Sequence, residues 1–321
     1  MPAEKNQLTR CCHLQGISIF SGKSQSVTVR NWTCVEQEVL NRLLPDELKV
    51  LQGCKGRFFV QKSKKAPLEY LPAHLDYVVD TSRRTTVLGL ANKGFLVGAP
   101  VQEKQAFSVA MVEHLLAALE AENITNVIIE VEQEIPMLDG SSQAWCDVFK
   151  TAKIGAITNN HSIMNTIRCD QGKHLSFQHG SSLYLLLPLA QNEKKWSVMI
   201  DFPNEPLIQT QAFTVEESLG FTEKFREEIA PARSFCSKSE LDLLHAKGLI
   251  LAGGYENGLV YHRERVLTPG GLRFSNEMAR HKILDMIGDF SLFPFQVVGH
   301  IIAIKPSHAG NIAFGHFLAA I

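Results

Sequence analysis

A helical segment followed directly by an apolar strand occurs twice in this sequence, and each helical segment carries a histidine beside acidic residues. In the first, His114 lies in a helical pattern that precedes a strand-like run at residues 126–131. In the second, His281 precedes a strand-like run at residues 296–305. The repetition predicts an α+β fold of two similarly built halves, each a β-sheet layered against helices, which meet at the two histidine-bearing helices.

The second helical segment reads RFSNEMARHKILDMIGD over residues 273–289. Its apolar residues keep helical spacing, and Ser275 is placed to cap the first turn. His281, Asp285 and Asp289 follow one another at intervals of four, so a helix projects all three from one face. Such a histidine and carboxylate can bind one metal ion, but the same spacing also suits an ordinary surface hydrogen bond.

The first helical segment can supply a third metal ligand. Ser108 is placed to cap it, and Val and Leu residues form its buried face. His114 interrupts that face, either as a half-buried histidine bonded to a neighbour or as a ligand that joins His281 and Asp285. The second alternative leaves one coordination position open for water, as in catalytic zinc sites, and Glu113 could then take a proton from that water.

Two residues of the C-terminal half can serve the same site. His308 lies in the segment KPSHAGN, where Pro306 and Gly310 predict the end of a loop. Asp289 could orient His308 and raise its pKa, which would make it a general acid. Lys282 projects about 100 degrees away from the preceding ligand, towards a phosphate or carbonyl group. An exposed loop histidine and an exposed lysine explain the same two residues without a site.

The composition fits a globular protein with two domains. The chain has 321 residues, of which 45% are apolar and 20% charged, enough for two hydrophobic cores. The polar stretch at residues 158–162 is the best candidate for a boundary. We therefore predict one domain at residues 1–157 and a second at residues 158–321.

Charge, cysteine usage and hydropathy restrict the partners and the compartment. Lys plus Arg number 32 against 33 for Asp plus Glu, so no global field recruits nucleic acid. The seven cysteines are scattered without a C-x-x-C pair, which is typical of free thiols in a reducing compartment. The first residues lack a signal-peptide pattern, and the apolar runs are too short to span a bilayer. We predict a cytoplasmic protein without a transmembrane segment.

Elsewhere the sequence predicts mainly strands. We expect an opening hairpin at residues 16–30, a helix near residues 36–50, a helix capped by Ser141 or Ser142, and a short helix at residues 239–246. Further strand-like runs lie at residues 58–60, 77–79, 85–90, 175–177, 183–189, 197–201 and 212–215.

Several segments resemble signature segments of the UDP-3-O-acyl-N-acetylglucosamine deacetylase family. In chain order they are SVAMVEHLLAALEAENITNVIIEV, EIPMLDGSS, PARSF, GGLRFSNEMARHKILDMIGD and SHAGN. The resemblance implies a zinc amidase that catalyses the committed step of lipid A biosynthesis. It also implies two α+β domains with the active site between them. We expect a small-molecule substrate, an acylated UDP-sugar, and a monomeric enzyme.

The resemblance assigns the metal and the general base. It implies that His114, His281 and Asp285 bind a Zn²⁺ ion and that Glu113 is the base.

The resemblance also assigns the general acid and the residues around the substrate. It implies that His308 is the acid with Asp289 behind it. Ser234 falls where the family usually has a threonine whose hydroxyl helps to hold the oxyanion, and serine keeps that hydroxyl. Phe235 and Lys282 match positions that contact the sugar and the nucleotide phosphates in relatives.

A glycine-rich insert at about residues 236–262 matches the part of the family that forms an apolar passage for the acyl chain. Leu241, Ile250 and Gly253 are the residues that we assign to this passage. The core of an ordinary hairpin explains the same composition.

The sequence departs from the family pattern at three places. Phe20 stands where relatives typically have a histidine, and Ser307 replaces a glycine before the acid histidine. An insertion-like helix is expected at about residues 36–51. None of these departures removes a ligand, the base or the acid. Two alternatives to the deacetylase remain, a zinc amidohydrolase of another N-acyl sugar and a non-catalytic relative in which the metal only clamps the domains.

Overall fold

The computed structural model describes residues 7–8, 10–32, 53–62, 70–90, 107–154, 165–190 and 193–321. The helix expected at residues 36–50 and the boundary expected at residues 158–162 lie outside these ranges.

The N-terminal half consists of ten short strands and two α-helices within the described residues. The strands are β1 (Gln7–Leu8), β2 (Cys12–Ile17), β3 (Ser24–Asn31), β4 (Arg57–Gln61), β5 (Tyr70–Pro72), β6 (Val78–Asp80), β7 (Val87–Gly89), β8 (Ser108–Val109), β9 (Val127–Val131) and β10 (Lys153–Ile154). The helices are α1 (Val112–Ala121) and α2 (Gln143–Ala152), and a 3₁₀ turn covers Leu75–Tyr77.

The C-terminal half contributes the remaining strands and helices of the described chain. The strands are β11 (Thr166–Ile167), β12 (Leu175–His179), β13 (Ser182–Leu187), β14 (Lys194–Phe202), β15 (Gln209–Glu217), β16 (Phe235–Ser237), β17 (Leu259–His262), β18 (Arg265–Val266), β19 (Gln296–Val297) and β20 (Gly299–Ile304). The helices are α3 (Phe221–Glu228), α4 (Lys238–Ala246), α5 (Glu277–Phe290) and α6 (His308–Ala319).

The two halves share one sheet topology. Each contains a five-stranded sheet, in the order β2-β3-β9-β4-β5 in the first and β12-β13-β20-β14-β15 in the second. In each sheet the third and fourth strands are parallel and all other neighbours are antiparallel. The third strand also follows α1 in one half and α5 in the other. The prediction of two similarly built α+β halves is therefore confirmed.

The burial pattern of the strands explains why one face of each sheet carries helices. β13 and β20 alternate buried and half-buried residues, the period of a strand with one face against a core. The core that results is shared, because apolar residues of both halves belong to one continuous cluster. Its largest side chains include Trp145 from the first half and Trp196 from the second, both almost fully buried.

Helices α1 and α5 pack against each other where the halves meet. The contact is close because Gly288 has no side chain, and a Cβ there would overlap the carbonyl oxygen of Glu113. Beyond the end of α1, the buried carboxylate of Glu122 accepts two hydrogen bonds from Arg226 of α3, at 2.6 and 2.7 Å. The two halves are thus joined by backbone packing and by a bidentate ion pair.

Two predicted helix caps are wrong. Ser108 lies in β8, where it pairs with Gly89, and α1 begins only after Met111, which adopts a left-handed conformation. Ser275 does not cap α5, because Asn276 occupies the N-cap position without a capping side-chain bond. The Glu277 carboxylate instead accepts the backbone amide of the residue four positions earlier, at 2.7 Å, and so fixes the chain that enters the helix.

Within the part of the chain that the structure describes, no helix combines the length and the apolar character needed to cross a bilayer.

Candidate active site

The structure brings together the three side chains expected to bind a metal. His114 of α1 and His281 and Asp285 of α5 are buried, and one ligand atom from each lies within 4.8 Å of the others. The Oδ1 atom of Asp285 is 3.3 Å from Nε2 of His281 and 3.8 Å from Nε2 of His114. The two rings are nearly perpendicular, with centroids 5.1 Å apart. Three ligand atoms from two helices therefore face one small space.

Both histidines are neutral, which a metal ligand requires. Burial, with His281 close by, lowers the pKa of His114 to about 3. Burial also lowers the pKa of His281. The Nδ1 atom of His281 donates to the carbonyl oxygen of Ala232 at 3.1 Å. This bond fixes the tautomer in which Nε2 carries a lone pair and points into the site.

The surroundings of the Asp285 carboxylate indicate whether the three side chains fit a cation. Its Oδ1 atom is buried and has no hydrogen-bond partner in the described structure. It faces the lone pair of His281 Nε2, so two electron-rich atoms approach each other without a proton between them. Burial opposes ionisation of Asp285, but the positive charges of Lys282 and His308 hold its pKa below the ordinary value. A buried acceptor without a partner is costly, and a divalent cation would satisfy it.

Glu113 lies beside these ligands, and only one of its carboxylate oxygens is held by hydrogen bonds in the described structure. Its Oε2 atom accepts from the Thr85 hydroxyl at 2.9 Å and from the Thr86 amide at 3.1 Å. Its Oε1 atom is 3.8 Å from Nε2 of His308. Burial raises the pKa of Glu113 to about 7, although the nearby His308 opposes this shift. A carboxylate with such a pKa can both accept and release a proton near neutral pH.

His308 is not the exposed loop residue that its sequence context indicated. It is the first residue of α6 and is 6% exposed. The Ser307 hydroxyl caps this helix by accepting from the Gly310 amide at 3.1 Å. Serine at this position, a departure from the family pattern, therefore acts as a helix cap.

A buried carboxylate keeps the His308 ring oriented and charged. Nδ1 of His308 donates to Oδ2 of Asp289 at 2.8 Å, and Nε2 lies 3.9 Å from Oδ2 of Asp285. Burial disfavours the charged ring, but Asp289 and Glu113 outweigh burial and raise the pKa of His308 to about 9. With this pKa the ring carries a proton on Nε2 at neutral pH, and Nε2 is directed at the space beside the candidate metal ligands.

Three residues that complete this arrangement were not predicted from the sequence. Thr85 and Thr86 reach Glu113, and the Thr86 hydroxyl also donates to Oδ1 of Asp289 at 2.6 Å. Asn311 of α6 donates to Oδ2 of Asp289 at 2.7 Å. Asn311 follows His308 by three positions, so a predicted helix at residues 308–319 would have placed both on one face. The two threonines precede β7 in an irregular segment, and no periodic pattern identifies them.

Ser234 lies between two residues that both contact His281 of α5. Ala232 accepts the hydrogen bond from His281, and the Phe235 ring lies 6.3 Å from the His281 ring, centroid to centroid. The Ser234 amide donates to the Gly140 carbonyl at 2.7 Å, which ties this segment to the N-terminal half. The segment is therefore held beside the site by both halves.

Lys282 does not extend away from the ligands as expected. Its Nζ atom donates to Oδ2 of Asp285 at 2.7 Å and lies 5.8 Å from the centre of the Phe235 ring. Its side chain is 21% exposed, so the ammonium lies at the border between the buried candidate ligands and solvent. A contact between this ammonium and a substrate phosphate stays a prediction.

The residues assigned to an acyl passage form a small apolar cluster around α4. Leu241 and Ile250 are buried and pack with Val260. A Cβ at Gly253 would lie 2.8 Å from Cδ1 of Ile250, so this glycine also borders the cluster. Phe20, the departure in the loop after β2, packs against the same cluster. The ring therefore adds apolar surface where the family typically has an imidazole, and the passage itself stays a prediction.

Sequence comparisons identify relatives along nearly the whole chain. A family model described as UDP-3-O-acyl N-acetylglycosamine deacetylase matches residues 5–320. The UDP-3-O-acyl-N-acetylglucosamine deacetylase of Chlamydia pneumoniae is 36% identical over 271 residues, which cover 84% of this chain and 86% of that protein. The protein of the same name from Myxococcus xanthus is 33% identical over 314 residues, 97% of this chain and 85% of the relative. The chain therefore belongs to the UDP-3-O-acyl-N-acetylglucosamine deacetylase family.

Proposed function

We propose that this protein hydrolyses the N-acetyl group of UDP-3-O-acyl-N-acetylglucosamine to give acetate and UDP-3-O-acyl-glucosamine, the committed step of lipid A biosynthesis. The observation that carries the proposal is the buried Asp285 oxygen, which faces two neutral imidazoles and has no partner in the described structure. A carboxylate and a charged imidazole lie within 4 Å of each other beside it. The names of the relatives support the substrate, and the geometry supports hydrolysis.

The metal of this metalloenzyme family would be held by His114, His281 and Asp285, and we propose that it is Zn²⁺. Two nitrogen ligands and one carboxylate oxygen are a ligand set that zinc accepts in hydrolases. A zinc ion bound there supplies Lewis acidity, which polarises the acetamide carbonyl and makes a water molecule more acidic.

Glu113 and His308 move the protons of the reaction. Glu113 takes one proton from water as the water oxygen bonds to the acetyl carbon. The Ser234 hydroxyl donates a hydrogen bond to the oxyanion that develops. His308 then delivers its Nε2 proton to the amide nitrogen as the C–N bond breaks, so the amino sugar leaves as a neutral amine. Asp289 accepts from Nδ1 throughout and keeps the ring in place.

The remaining substrate contacts follow from the surroundings of the site. We assign Lys282 and Phe235, which lie together at its border, to the phosphates and the sugar. The cluster of Leu241, Ile250 and Gly253 receives the acyl chain, because a hydrocarbon gains by leaving water for an apolar surface.

We further propose that the enzyme acts as a monomer in the cytoplasm. Every residue assigned to the reaction comes from one chain. The six cysteines of the described residues form no disulfide with one another, which suits a reducing compartment.

The roles of base and acid are tested by Glu113→Gln and His308→Gln, with turnover of the acylated UDP-sugar and bound zinc measured in parallel. Each substitution should lower kcat on the order of 10²–10⁴-fold while zinc stays bound. Matched controls are Glu132→Gln and His316→Gln, which alter exposed residues of the same two halves and should leave kcat unchanged. Wild-type turnover by zinc-loaded Glu113→Gln would show that Glu113 is not the base.

The substrate is tested by comparing kcat/KM for UDP-N-acetylglucosamine derivatives with acyl chains of increasing length. Each methylene that enters an apolar passage should contribute about 0.8 kcal/mol, or roughly fourfold in kcat/KM. Leu241→Ala should weaken this dependence, whereas Leu243→Ala, on the exposed side of α4, should not. Equal kcat/KM with and without an acyl chain would instead favour an amidohydrolase of another N-acyl sugar.

A further inference from the structure

We infer that the dipeptide Thr85-Thr86 is a positioning device that keeps the general base and the general acid in register across the junction of the two halves. The inference rests on the roles proposed above for Glu113 and His308. It concerns two residues of the N-terminal half that are both fully buried and that both direct a hydroxyl at the site.

The Thr85 hydroxyl fixes the Glu113 carboxylate, because its oxygen already accepts one hydrogen bond and its proton is directed at Glu113. The Met111 amide donates to Oγ1 of Thr85 at 3.0 Å, so this oxygen already serves as an acceptor. The hydroxyl proton therefore points at Oε2 of Glu113, 2.9 Å away. Because Met111 directly precedes α1, Thr85 connects the Glu113 carboxylate to the start of the helix that carries it.

The Thr86 backbone amide bonds to the same Glu113 oxygen as the Thr85 hydroxyl, and so leaves the other oxygen available. It donates to the same Oε2 atom at 3.1 Å, so two donors hold one oxygen. The other oxygen, Oε1, is the one that faces Nε2 of His308, at 3.8 Å. The dipeptide thus leaves the basic lone pairs of Glu113 on the side of the acid and the metal ligands.

The Thr86 side chain acts on the acid through Asp289. Its hydroxyl donates to Oδ1 of Asp289 at 2.6 Å, and its oxygen lies 3.3 Å from Nδ1 of His308. The other Asp289 oxygen accepts from His308 at 2.8 Å and from Asn311 at 2.7 Å. His308, Asp289 and Asn311 all belong to the C-terminal half, and Thr86 is the N-terminal partner of this carboxylate in the described structure. Thr86 therefore sets the plane of the carboxylate, and with it the rotation of the His308 ring.

The local backbone explains how neighbouring side chains reach one site. Successive side chains of a strand point to opposite faces, and β7 begins only at Val87. Arg84 adopts a left-handed conformation with φ of 59°, which non-glycine residues rarely do, and turns the chain just before Thr85. Its guanidinium bonds to Glu240 of α4 at 2.7 Å, so this turn is also held from the C-terminal half.

The hydroxyl groups can be removed without a change of shape, because valine has the outline of threonine. We expect Thr86→Val to lower kcat by roughly 10- to 100-fold, with KM and bound zinc unchanged. Thr86→Ser keeps the hydroxyl and should restore most of the loss. Thr85→Val and Thr85→Ser should behave in the same way. Thr125→Val, which alters a threonine that is 5% exposed two residues before β9, is the matched control and should keep wild-type kcat.

A double substitution distinguishes positioning from a general loss of structure. If Thr86 acts through His308, Thr86→Val should cost little further activity in a His308→Gln background, because the group it positions is already absent. Wild-type kcat in Thr86→Val, or a full additional loss in the His308→Gln background, would overturn the inference. A loss that Thr86→Ser does not restore would also overturn it.

The same set of variants separates this inference from the proposed function. If Glu113→Gln and His308→Gln are inactive while Thr86→Val has wild-type kcat, only the inference fails. If Glu113→Gln and His308→Gln are fully active with zinc bound, the proposed roles fail and the inference fails with them.

Discussion

At the scale of single residues, the site is a set of buried polar groups whose hydrogen bonds leave particular atoms available. Ala232 occupies one nitrogen of His281 and leaves the other as a lone pair. Thr85 and Thr86 occupy one oxygen of Glu113, and Asp289 occupies one nitrogen of His308. Of the atoms that remain, Nε2 of His281 lies 3.3 Å from the unpartnered Oδ1 of Asp285, and Nε2 of His308 lies 3.8 Å from Oε1 of Glu113. Such an arrangement is costly without a cation and is well suited to hold one.

The contribution of one ligand can be measured directly. His281→Ala removes one of three proposed ligands and should weaken zinc binding by more than the roughly 10–100-fold typical of an outer-shell substitution. Competition with a zinc chelator of known affinity measures this change. His316→Ala, which alters an exposed histidine of α6, should bind zinc as the wild type does. Unchanged zinc affinity in His281→Ala would exclude this imidazole as a ligand.

The sequence identified the histidines and carboxylates of the site better than it identified the residues that hold them in position. The histidines and carboxylates of α1 and α5 were identifiable because they recur at helical spacing within family-like segments. Thr85 and Thr86 were not, because their positions depend on a left-handed turn at Arg84 and on partners far away in sequence. His308 was placed in a loop because Pro306 and Gly310 suggested one, although the Ser307 hydroxyl begins a helix there.

At the scale of elements, the crossing of α1 and α5 determines the site. Both helices were predicted from their periodic apolar residues, but their first residues were not. Ser108 pairs with Gly89 in a strand and does not cap α1. The start of α5 is fixed by Glu277, which accepts the Arg273 amide. Glu277 is fully buried and also accepts from the Arg233 guanidinium at 2.8 Å, so a tertiary ion pair replaced the expected cap. Local propensity could not reveal either contact.

The close approach of the two helices predicts the effect of a methyl group at Gly288. Helix propensity alone favours alanine over glycine by about 1 kcal/mol. At this position the added Cβ meets the Glu113 backbone, which cannot move alone, so the helices must separate. We expect Gly288→Ala to lower the free energy of unfolding by about 1–3 kcal/mol and to reduce kcat, because Glu113 moves away from Asp285.

Denaturant unfolding and steady-state kinetics measure both effects. Gly254→Ala is the control, because a Cβ at Gly254 meets no atom within 4 Å. A Gly288→Ala protein that is more stable than the wild type, as helix propensity alone would give, would contradict the close packing of α1 and α5.

At the scale of the whole molecule, two sheets of equal topology present one helix each to a common junction. The order of strands and helices was visible in the sequence as a repeated pattern, and the structure has the same order in both halves. The register of the strand pairing was not visible in the sequence, because the paired residues of β14 and β20 are about 100 positions apart in the chain. The proposed domain boundary near residue 157 stays a prediction, since it lies outside the described ranges.

The junction explains why the proposed chemistry needs both halves. The N-terminal half supplies His114 and Glu113, and the C-terminal half supplies His281, Asp285 and His308. Among the described residues, neither half alone contains three such side chains within reach of one ion. The proposed catalytic arrangement therefore exists only when α1 and α5 are packed together.

The most direct test is a crystal structure of the zinc-loaded protein with anomalous data collected on both sides of the zinc absorption edge. We predict one strong peak at the junction, about 2.0–2.2 Å from a nitrogen of His114, a nitrogen of His281 and an oxygen of Asp285. A zinc peak coordinated by other residues, or no peak between α1 and α5 in a protein that is active with zinc, would contradict the account.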